Sequence, residues 1–469
     1  MAKELHIVML PWSAFGHLLP FFQLSVALAK FGVRVSFVST PKNIERLPNV
    51  PSSLASLIAL VKLPLPKLPN GDLPDGAEAT VDVPFEKVPQ LKMAYDLLQR
   101  PFQKFVADQS PDWILIDFMA HWVLGFAQES QIPVMYFSIF SSATNVFLGP
   151  PEYLTGEGRT SVRPSMESLM SPPPWVNFTS PLALKKHEAI PLFNNFFVSN
   201  GTAVSDAERH AKILQNCQAM SVRTCRELEG PYLDLLIELV GKPVIPTGSL
   251  PAEKHERAEL SGQSPKHIFE WLDEQKPKSV VFVGFGSECK LSKEQIQEIA
   301  YGLELSDVPF LWALRRPEWA DDEAEVLPVG FGSRTRGRGL VNMGWAPQME
   351  ILSHESIGGS LFHTGWGSVN ENLGFGHSLV ALPMIIEQGL NARLLVDRGL
   401  AVEVDRAEDG SFSRDDIAKA LRMAMVSEEG EPLRLRARQI AAVFGDIKFQ
   451  QEHYIGQLVE FMKSYNKSK

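Results

Sequence analysis

Cysteine and long apolar runs are the scarcest features of this sequence. Only three cysteines, Cys217, Cys225 and Cys289, occur in 469 residues. Their spacing fits neither a disulfide framework nor a zinc site, so we expect free thiols in a reducing compartment. No segment approaches the ~20 consecutive apolar residues of a membrane-spanning helix, and the apolar run at the N-terminus is too short for a signal peptide. We therefore expect a cytoplasmic protein with no integral membrane segment.

Positive charge is also in short supply. The chain has 45 Lys and Arg against 55 Asp and Glu, a formal net charge of −10. This balance opposes a general affinity for nucleic acid, and we expect no nucleic-acid partner. The length exceeds what one hydrophobic core usually organises, so two domains of roughly 230 residues each are expected.

Apolar strand-like runs alternate with helical patterns along the chain. The first is LHIVMLP at 5–11, which is followed by a helical pattern at 18–32 and a strand-like run at 33–40. Further strands are predicted at 57–64, 113–118, 133–138, 279–285, 309–314 and 357–362, and further helices at 91–107, 267–275 and 292–306. Strands and helices in alternation predict parallel sheets covered by helices, which is a doubly wound α/β architecture.

Two breaks in this alternation suggest the domain boundaries. Residues 150–190 are rich in proline, glycine and serine and predict a long surface loop, whereas the polar stretch 243–266 is typical of an interdomain linker. We expect a first domain at 1–242, a second at 267–445, and a C-terminal helix at 446–469 that packs back on the first domain. Two such domains leave a cleft, and open α/β folds bind ligands at the carboxyl ends of their strands.

One segment combines residues that a folding core alone would not select. Its centre, HTGWGS at 363–368, follows a strand-like run and precedes a helical pattern. Backbone amides, His363 and Ser368 should therefore converge at a helix N-terminus, where an anionic diphosphate fits. Glu371 lies about one turn later and can accept both hydroxyls of a ribose. A capping box formed by Ser368 and Glu371 is an equally good alternative.

Residues on either side of this centre add to the pattern. Trp345 offers a flat face for a base and Gln348 an amide beside it, with an ordinary core aromatic as the alternative for Trp345. GFGSE at 284–288 follows a predicted strand, so Ser287 and two glycines suit a phosphate, although a simple turn is the more common outcome.

Residues 345–388 resemble the 44-residue donor-binding signature of plant family-one UDP-sugar-dependent glycosyltransferases. The WAPQ start, the His-x-Gly-Trp core, Glu371, Pro383 and the closing Glu-Gln pair match in order and spacing. The resemblance implies an α/β GT-B fold, with two Rossmann-like domains that face each other across a cleft. The acceptor would bind mainly to the first domain and the UDP-sugar to the second. PWSAFGHLLPFF at 11–22 and LPDGAEAT at 73–80 look most like the branch that extends existing glycosides.

The resemblance implies a role for each matching position. Trp345 would stack on uracil, and Gln348 and Glu371 would hold the ribose. The remaining implied donor-binding residues are Ser287, His363 and Ser368 at the diphosphate, Ala346, Gly365 and Gly367 within the signature, Trp366, Glu387 and Gln388 at the sugar, and Ser141 and Ser142 as further sugar contacts. Thr364 and Gly367 stand where the family usually has Cys and Asn. An amide that would help to hold the phosphates is therefore missing.

His17 and Asp117 are the expected catalytic pair. His17 follows the first strand and Asp117 ends the strand-like WILIDF, so both should lie at the carboxyl edge of one parallel sheet. A histidine can accept a proton at neutral pH, and an acid partner would orient its ring. A surface or capping role is the alternative for a lone histidine there, and we expect a structural role for His121.

These features together predict an inverting, metal-independent UDP-glycosyltransferase that needs no cofactor. We expect a monomer that adds a sugar, glucose in the first instance, to a sugar hydroxyl of a hydrophobic glycoside such as a terpenoid or flavonoid glycoside. UDP-rhamnose or UDP-xylose is the alternative donor. A nicotinamide-dependent oxidoreductase is opposed because no Gly-x-Gly-x-x-Gly is completed, and a non-catalytic nucleotide-sugar binder is opposed by the retention of both His17 and Asp117.

Overall fold

The computed structural model describes residues 4–69, 71–250, 266–322 and 325–467. The described residues form two compact units. The first unit contains residues 4–180, Ile190–Leu250 and 447–467, and the second contains Pro181–Ala189 and residues from 266 to Asp446.

The first unit is built around a parallel sheet of seven strands. These are β1 His6–Leu10, β2 Arg34–Ser39, β3 Ile58–Lys62, β4 Trp113–Ile116, β5 Val134–Ser138, β6 Ala219–Val222 and β7 Val244–Pro246. The helices between them are α1 Phe15–Ala29, α2 Pro41–Glu45, α3 Val88–Asp96, α4 Gln99–Gln109, α5 Val123–Glu129, α6 Ser142–Leu148, α7 Gly156–Val162, α8 Lys186–Phe196, α9 Asp206–Asn216 and α10 Arg226–Val240. The strand order is β3-β2-β1-β4-β5-β6-β7. Strands β1, β4 and β5 are buried along their whole length, which is why they appear in the sequence as continuous apolar runs.

The second unit repeats this plan with six parallel strands. They are β8 Val280–Gly284, β9 Phe310–Ala313, β10 Gly339–Asn342, β11 Ile357–Phe362, β12 Ser378–Ala381 and β13 Ala401–Glu403, and their order is β10-β9-β8-β11-β12-β13. The helices are α11 Lys266–Asp273, α12 Lys293–Ser306, α13 Phe331–Arg334, α14 Gln348–Leu352, α15 Trp366–Gly374, α16 Gln388–Asp397, α17 Arg414–Met425 and α18 Glu431–Phe444. The predicted architecture of two doubly wound parallel sheets is confirmed.

The C-terminal residues complete the first unit. After α18 the chain forms α19 Ile447–Phe449, a π-helical stretch Gln450–Ile455 and α20 Gly456–Lys467. Leu458, Val459 and Met462 are buried in the same hydrophobic core as β1, β2 and β4. The indole Nε1 of Trp113 donates to the carbonyl of Met462 at 3.2 Å. The last helix is therefore part of the core of the first unit.

The unit boundaries differ from the expected ones in two places. Pro181–Ala189, expected within the 1–242 domain, belongs to the second unit. Residues 243–250, expected within the 243–266 linker, belong to the first unit because β7 pairs with β6 as the last strand of the sheet. The rest of the expected linker, 251–265, lies outside the described residues.

Two local predictions were wrong. The helix expected over 91–107 is two helices, α3 and α4, with a break at Leu97 and Leu98. Pro101 is the cause, since it has no N–H to donate to the carbonyl of residue 97 and is tolerated only near a helix start. The loop expected over 150–190 contains α7 and the beginning of α8.

Candidate active site

The first sheet has its topological switch point between β1 and β4. From β1 the strand order runs to β2 and β3 on one side, and from β4 to β5, β6 and β7 on the other. The helices that follow two such neighbouring strands lie on opposite faces, and their loops leave an opening at the carboxyl edge. His17 lies in the first turn of α1, just after β1, and Asp117 directly follows β4.

His17 and Asp117 form a hydrogen-bonded pair at this switch point. Nδ1 of His17 is 2.7 Å from Oδ2 of Asp117, and their side chains are 13% and 1% exposed. The same carboxylate accepts backbone N–H groups from Trp12 at 3.0 Å and from Phe118 at 2.7 Å. Asp117 is thus fixed by three contacts, and His17 is the more accessible member of the pair. A surface or capping role for His17 does not explain this arrangement.

Aromatic rings surround the pair. Phe118 and Phe140 lie with their ring centroids 5.4 and 5.8 Å from that of His17. The imidazole therefore has the Asp117 carboxylate on one side and the apolar rings of Phe118 and Phe140 on others. Sequence reasoning missed both phenylalanines, because neither belongs to a motif and Phe140 comes from the loop after a different strand, β5.

His121 belongs to a buried charged cluster of the same unit. The guanidinium of the fully buried Arg209 bonds to both carboxylate oxygens of Asp96 at 2.6 Å. Its Nη1 lies 3.3 Å from Nδ1 of His121. Burial, and next the charge of Arg209, lower the pKa of His121. The structure therefore gives His121 contacts of a structural kind.

Ser141 and Ser142 lie at the start of α6 and are fully buried. The hydroxyl of Ser141 caps the helix by accepting the Thr144 N–H at 3.1 Å. The backbone N–H groups of Ser142 and Ala143 donate to the buried carboxylate of Glu229 at 3.1 and 2.8 Å. Direct contact of either hydroxyl with a sugar would require a local rearrangement. The role of Glu229 was not predicted, since it comes from the distant helix α10.

The second sheet has its switch point between β8 and β11, and the signature centre lies there. His363 follows β11, and Gly286 and Ser287 follow the neighbouring strand β8. A Cβ on Gly286 would lie 2.9 Å from the ring of His363, and a Cβ on Gly365 would lie 2.5 Å from its Nε2. The ring is thus held between two glycines. Nδ1 of His363 is buried and has no hydrogen-bond partner among the described residues.

The charge state of His363 follows from this environment. Burial lowers the pKa of His363 to about 4, against a smaller opposite effect of the Gly284 carbonyl. The imidazole is therefore neutral at physiological pH and can offer a ligand one N–H, but no full positive charge. The positive potential of the site comes from the helix N-terminus instead.

Helix α15 begins at the signature centre. Its N-cap is Gly365 and its first residue is Trp366. The Ser368–Glu371 capping box is therefore excluded, because Ser368 lies inside the helix. The Trp366 side chain is 3% exposed, so it packs inside the unit and presents little surface to a ligand. Gly367 and Ser368 complete the first turn.

Thr364 connects this turn to the end of the signature. It adopts a left-handed φ of 61°, which is uncommon for a β-branched residue and marks local strain. Its Oγ1 donates to the carbonyl of Gln388 at 2.9 Å, and Nδ2 of Asn391 donates to the Thr364 carbonyl at 3.1 Å. The turn at 363–368 and the first turn of α16 are thus joined directly.

The side chains expected at the base and ribose differ in exposure. Trp345 is 66% exposed, so it is not a core aromatic. Ala346, next to it, packs partly against a small apolar cluster that includes Ile351. Nε2 of Gln348 donates to Oε2 of Glu371 at 2.7 Å. This bond unites two residues 23 positions apart.

Glu387 and Gln388 open α16. Glu387 is its N-cap, and Oε1 of Gln388 accepts the backbone N–H groups of Met384 and Ile385 at 2.9 and 3.0 Å. The turn at 384–386 contains Ile386 at a φ of 55°. Gln388 thus stabilises the turn that presents Glu387.

Comparison with known proteins identifies the family. The two Rossmann-type units, each with polar residues at its switch point, have the architecture of the GT-B fold. Residues 248–430 match the family model described as UDP-glucoronosyl and UDP-glucosyl transferase. The chain belongs to the plant family-one UDP-dependent glycosyltransferases and is a UDP-glycosyltransferase.

Individual relatives support this membership over the whole chain. UDP-glycosyltransferase 91C1 of Arabidopsis thaliana is 43% identical, over 99% of this chain and 98% of its own. The soyasaponin III rhamnosyltransferase of Glycine max is 41% identical, over 99% and 96%. The crystal structure of Glycyrrhiza uralensis UGT73P12, complexed with glycyrrhetinic acid 3-O-monoglucuronide, has the same fold with a TM-score of 0.79, 24% identity and coverage of 98% and 96%.

Two further findings concern membranes and metals. No helix within the described ranges is both long and apolar enough to cross a membrane. Among the same residues, no group of three or more His, Cys, Asp or Glu side chains is arranged to hold a metal ion. The nicotinamide-dependent oxidoreductase alternative is set aside by the family assignment.

Proposed function

We propose that His17 and Asp117 catalyse inverting sugar transfer, and the 2.7 Å contact between them carries this proposal. When the Asp117 carboxylate accepts a hydrogen bond from the Nδ1–H of His17, Nε2 of the neutral ring is left as the proton acceptor. Nε2 removes the proton from an acceptor hydroxyl as its oxygen attacks the anomeric carbon. The bond from that carbon to the UDP oxygen breaks on the opposite face, and an α-linked donor gives a β-linked product.

On the donor side, we propose that the signature residues bind UDP without a metal ion or other cofactor. Trp345 stacks on the uracil, and Glu371, oriented by Gln348, accepts the ribose hydroxyls. Ser287, His363, Ser368 and the first backbone N–H groups of α15 donate to the diphosphate. A neutral histidine and a helix N-terminus suit this task because they supply fixed dipoles where charge develops on the leaving group. Glu387 and Gln388 bind the sugar hydroxyls.

For the acceptor, we propose a glycoside with a hydrophobic aglycone, and for the donor UDP-glucose. Glycoside extension is supported by the relative named soyasaponin III rhamnosyltransferase. The same name favours a second candidate donor, UDP-rhamnose. We further propose a cytoplasmic monomer; the three cysteines are free thiols, as a reducing compartment allows.

A mass-spectrometric screen tests this proposal. Purified protein is incubated with UDP-glucose, UDP-rhamnose or UDP-xylose and a panel of flavonoid and terpenoid glycosides with their aglycones. His17→Ala is expected to lower the rate on the order of 10²- to 10⁴-fold, as loss of a general base does. Asp117→Asn should also be strongly impaired, whereas His453→Ala, which changes an exposed histidine, should not be.

Each outcome of the screen has a definite reading. A hexose added to a glycoside and lost in His17→Ala supports the reaction, the base and the acceptor class together. A product with UDP-rhamnose alone replaces the donor and leaves the mechanism intact. UDP binding without turnover of any acceptor would favour a non-catalytic nucleotide-sugar binder.

A further inference from the structure

A short segment from the middle of the chain is built into the second unit. Pro181–Ala189 belongs to that unit although the residues on both sides of it belong to the first. Within it, Glu188 forms a bidentate ion pair with Arg393 of α16, with oxygen–nitrogen distances of 3.1 and 2.7 Å. The two side chains are 8% and 11% exposed. A buried ion pair of this geometry holds its two elements in one arrangement.

Arg393 passes this constraint to the first turn of α16. Its Nη1 donates to the carbonyl of Gly389 at 2.5 Å. A Cβ on Gly389 would lie 2.5 Å from this nitrogen and 2.6 Å from Oε1 of Glu188. The ion pair therefore lies directly against the backbone at Gly389.

Gly389 adjoins the pair expected to bind the donor sugar. Gln388 precedes it, and the side chain of Gln388 holds the 384–386 turn through the amides of Met384 and Ile385. The backbone carbonyl of Gln388 accepts a hydrogen bond from Oγ1 of Thr364, which lies in the turn at 363–368. The start of α16 is thus fixed both by Thr364 and by the Glu188–Arg393 pair.

A second contact secures the segment itself. Nζ of Lys185 lies 2.7 Å from the Glu403 carboxylate, which is also 3.6 Å from Arg393. The backbone N–H of Lys185 donates to Glu188 at 2.8 Å. Loss of Glu188 would therefore leave Arg393 with a nearby anion, so the unit should still fold without it.

We propose that Glu188 is a positioning residue for donor-sugar recognition. Through Arg393 and Gly389 it sets the first turn of α16, and so the placement of Glu387 and Gln388 toward the sugar hydroxyls. The inference rests on the proposed role of these two residues. It assigns part of donor recognition to a residue that lies about 160 positions before the 345–388 signature.

The test compares nucleotide with nucleotide-sugar binding. Dissociation constants for UDP, UDP-glucose and UDP-rhamnose are measured by calorimetry on the full chain and on Glu188→Gln, Arg393→Gln and the double variant. The UDP constant is expected to stay within about twofold, whereas the UDP-sugar constants weaken on the order of tenfold or more, since a small misplacement of a binding group costs that much. The double variant should be no worse than either single one.

Glu298→Gln is the matched control. It removes the carboxylate partner of Arg414 in the same unit. The dissociation constants for UDP and for the UDP-sugars should change by no more than the loss of any one ion pair in this unit would cause. An equal weakening of UDP and UDP-sugars in Glu188→Gln, or no change in either, would overturn the inference.

A second readout does not depend on the donor. Amide hydrogen exchange of residues 384–390 should be faster in Glu188→Gln than in the unmodified chain, because the Gln388 contacts to Met384 and Ile385 loosen. Unchanged exchange there refutes the positioning role even if the chain binds no nucleotide sugar. If the unmodified chain binds none of the three ligands, the proposed function fails separately.

Discussion

The ring of His363 is held closely between Gly286 and Gly365, where a side chain at either position would meet it. Gly365→Ala would place a Cβ 2.5 Å from Nε2 of His363, so the ring must move from the position in which we propose that it binds the diphosphate. We expect the affinity for UDP to fall roughly tenfold, which is the effect of losing about 1.4 kcal/mol of binding free energy. Isothermal titration with UDP measures this.

The control for this substitution is Gly332→Ala. Gly332 lies in α13 of the same unit, and a Cβ added to it would have no other atom within 4 Å. The UDP affinity of this variant should equal that of the unmodified chain. Tight UDP binding by Gly365→Ala would mean that His363 is not a diphosphate ligand.

At the scale of single elements, helix α6 depends on a carboxylate from another helix. Glu229 of α10 is fully buried and accepts the N–H groups of Ser142 and Ala143. Glu229→Gln replaces one acceptor oxygen by an NH2 donor that faces one of these N–H groups. We expect it to lower the free energy of unfolding by about 2–3 kcal/mol, measured by urea denaturation.

Glu238→Gln provides the comparison on the same helix. Glu238 is exposed, and such a change usually alters stability by less than about 0.5 kcal/mol. If both variants unfold at the same urea concentration, the Glu229 contacts do not stabilise α6.

The elements differ in how far the sequence could predict them. β1, β4 and β8 are continuous apolar runs, so their positions were predicted to within about two residues, as local patterns allow. β13 is three residues long and only partly buried, and it leaves little periodic signal. The break between α3 and α4 follows from Pro101, a local cause that the length of the apolar pattern concealed.

The residues of the candidate site could be predicted only where they form a local pattern in the sequence. His363, Ser368 and Glu371 lie within one short segment, so their spacing carries the signal. Glu188 and Arg393 are 205 positions apart, and their pairing follows only from the fold. No pattern of residue types in the sequence distinguishes the buried Glu188 from the exposed glutamates of the chain.

At the scale of the whole molecule, buried histidines should make the protein sensitive to acid. Burial lowers the pKa of His210 in the first unit to about 4 and that of His377 in the second to about 3. The unfolded chain, with pKa values near 6.5, then binds more protons, so stability falls as pH drops below about 6.5 toward these values. Each histidine contributes a slope of about 1.4 kcal/mol per pH unit in that window.

Melting temperatures between pH 7.5 and 4.5 check this expectation. In the structure, Nδ1 of His377 donates to Oδ1 of Asn372 at 2.9 Å. His377→Asn keeps a side-chain donor at this position but cannot titrate. Its melting temperature should fall less steeply with acid. An identical pH profile for the variant and the unmodified chain would contradict the assignment.

The C-terminal helix should be essential to the first unit. Leu458 is fully buried in the core of that unit, and Leu458→Ala should cost about 2–5 kcal/mol. Glu460→Ala, at an exposed position of the same helix, should cost little. Equal thermal stability of the two variants would show that α20 is dispensable.

The assignment of the chain to its two units has a practical consequence for protein engineering. Hybrids of related enzymes are usually made by joining the front of one chain to the back of another at a single point. In such a hybrid, residues 447–467 would have to pack into a first-unit core that comes from the other parent. Glu188 would likewise have to pair with an Arg393 that comes from the other parent. A hybrid that exchanges the two units cleanly needs four junctions, near residues 180, 190, 250 and 446.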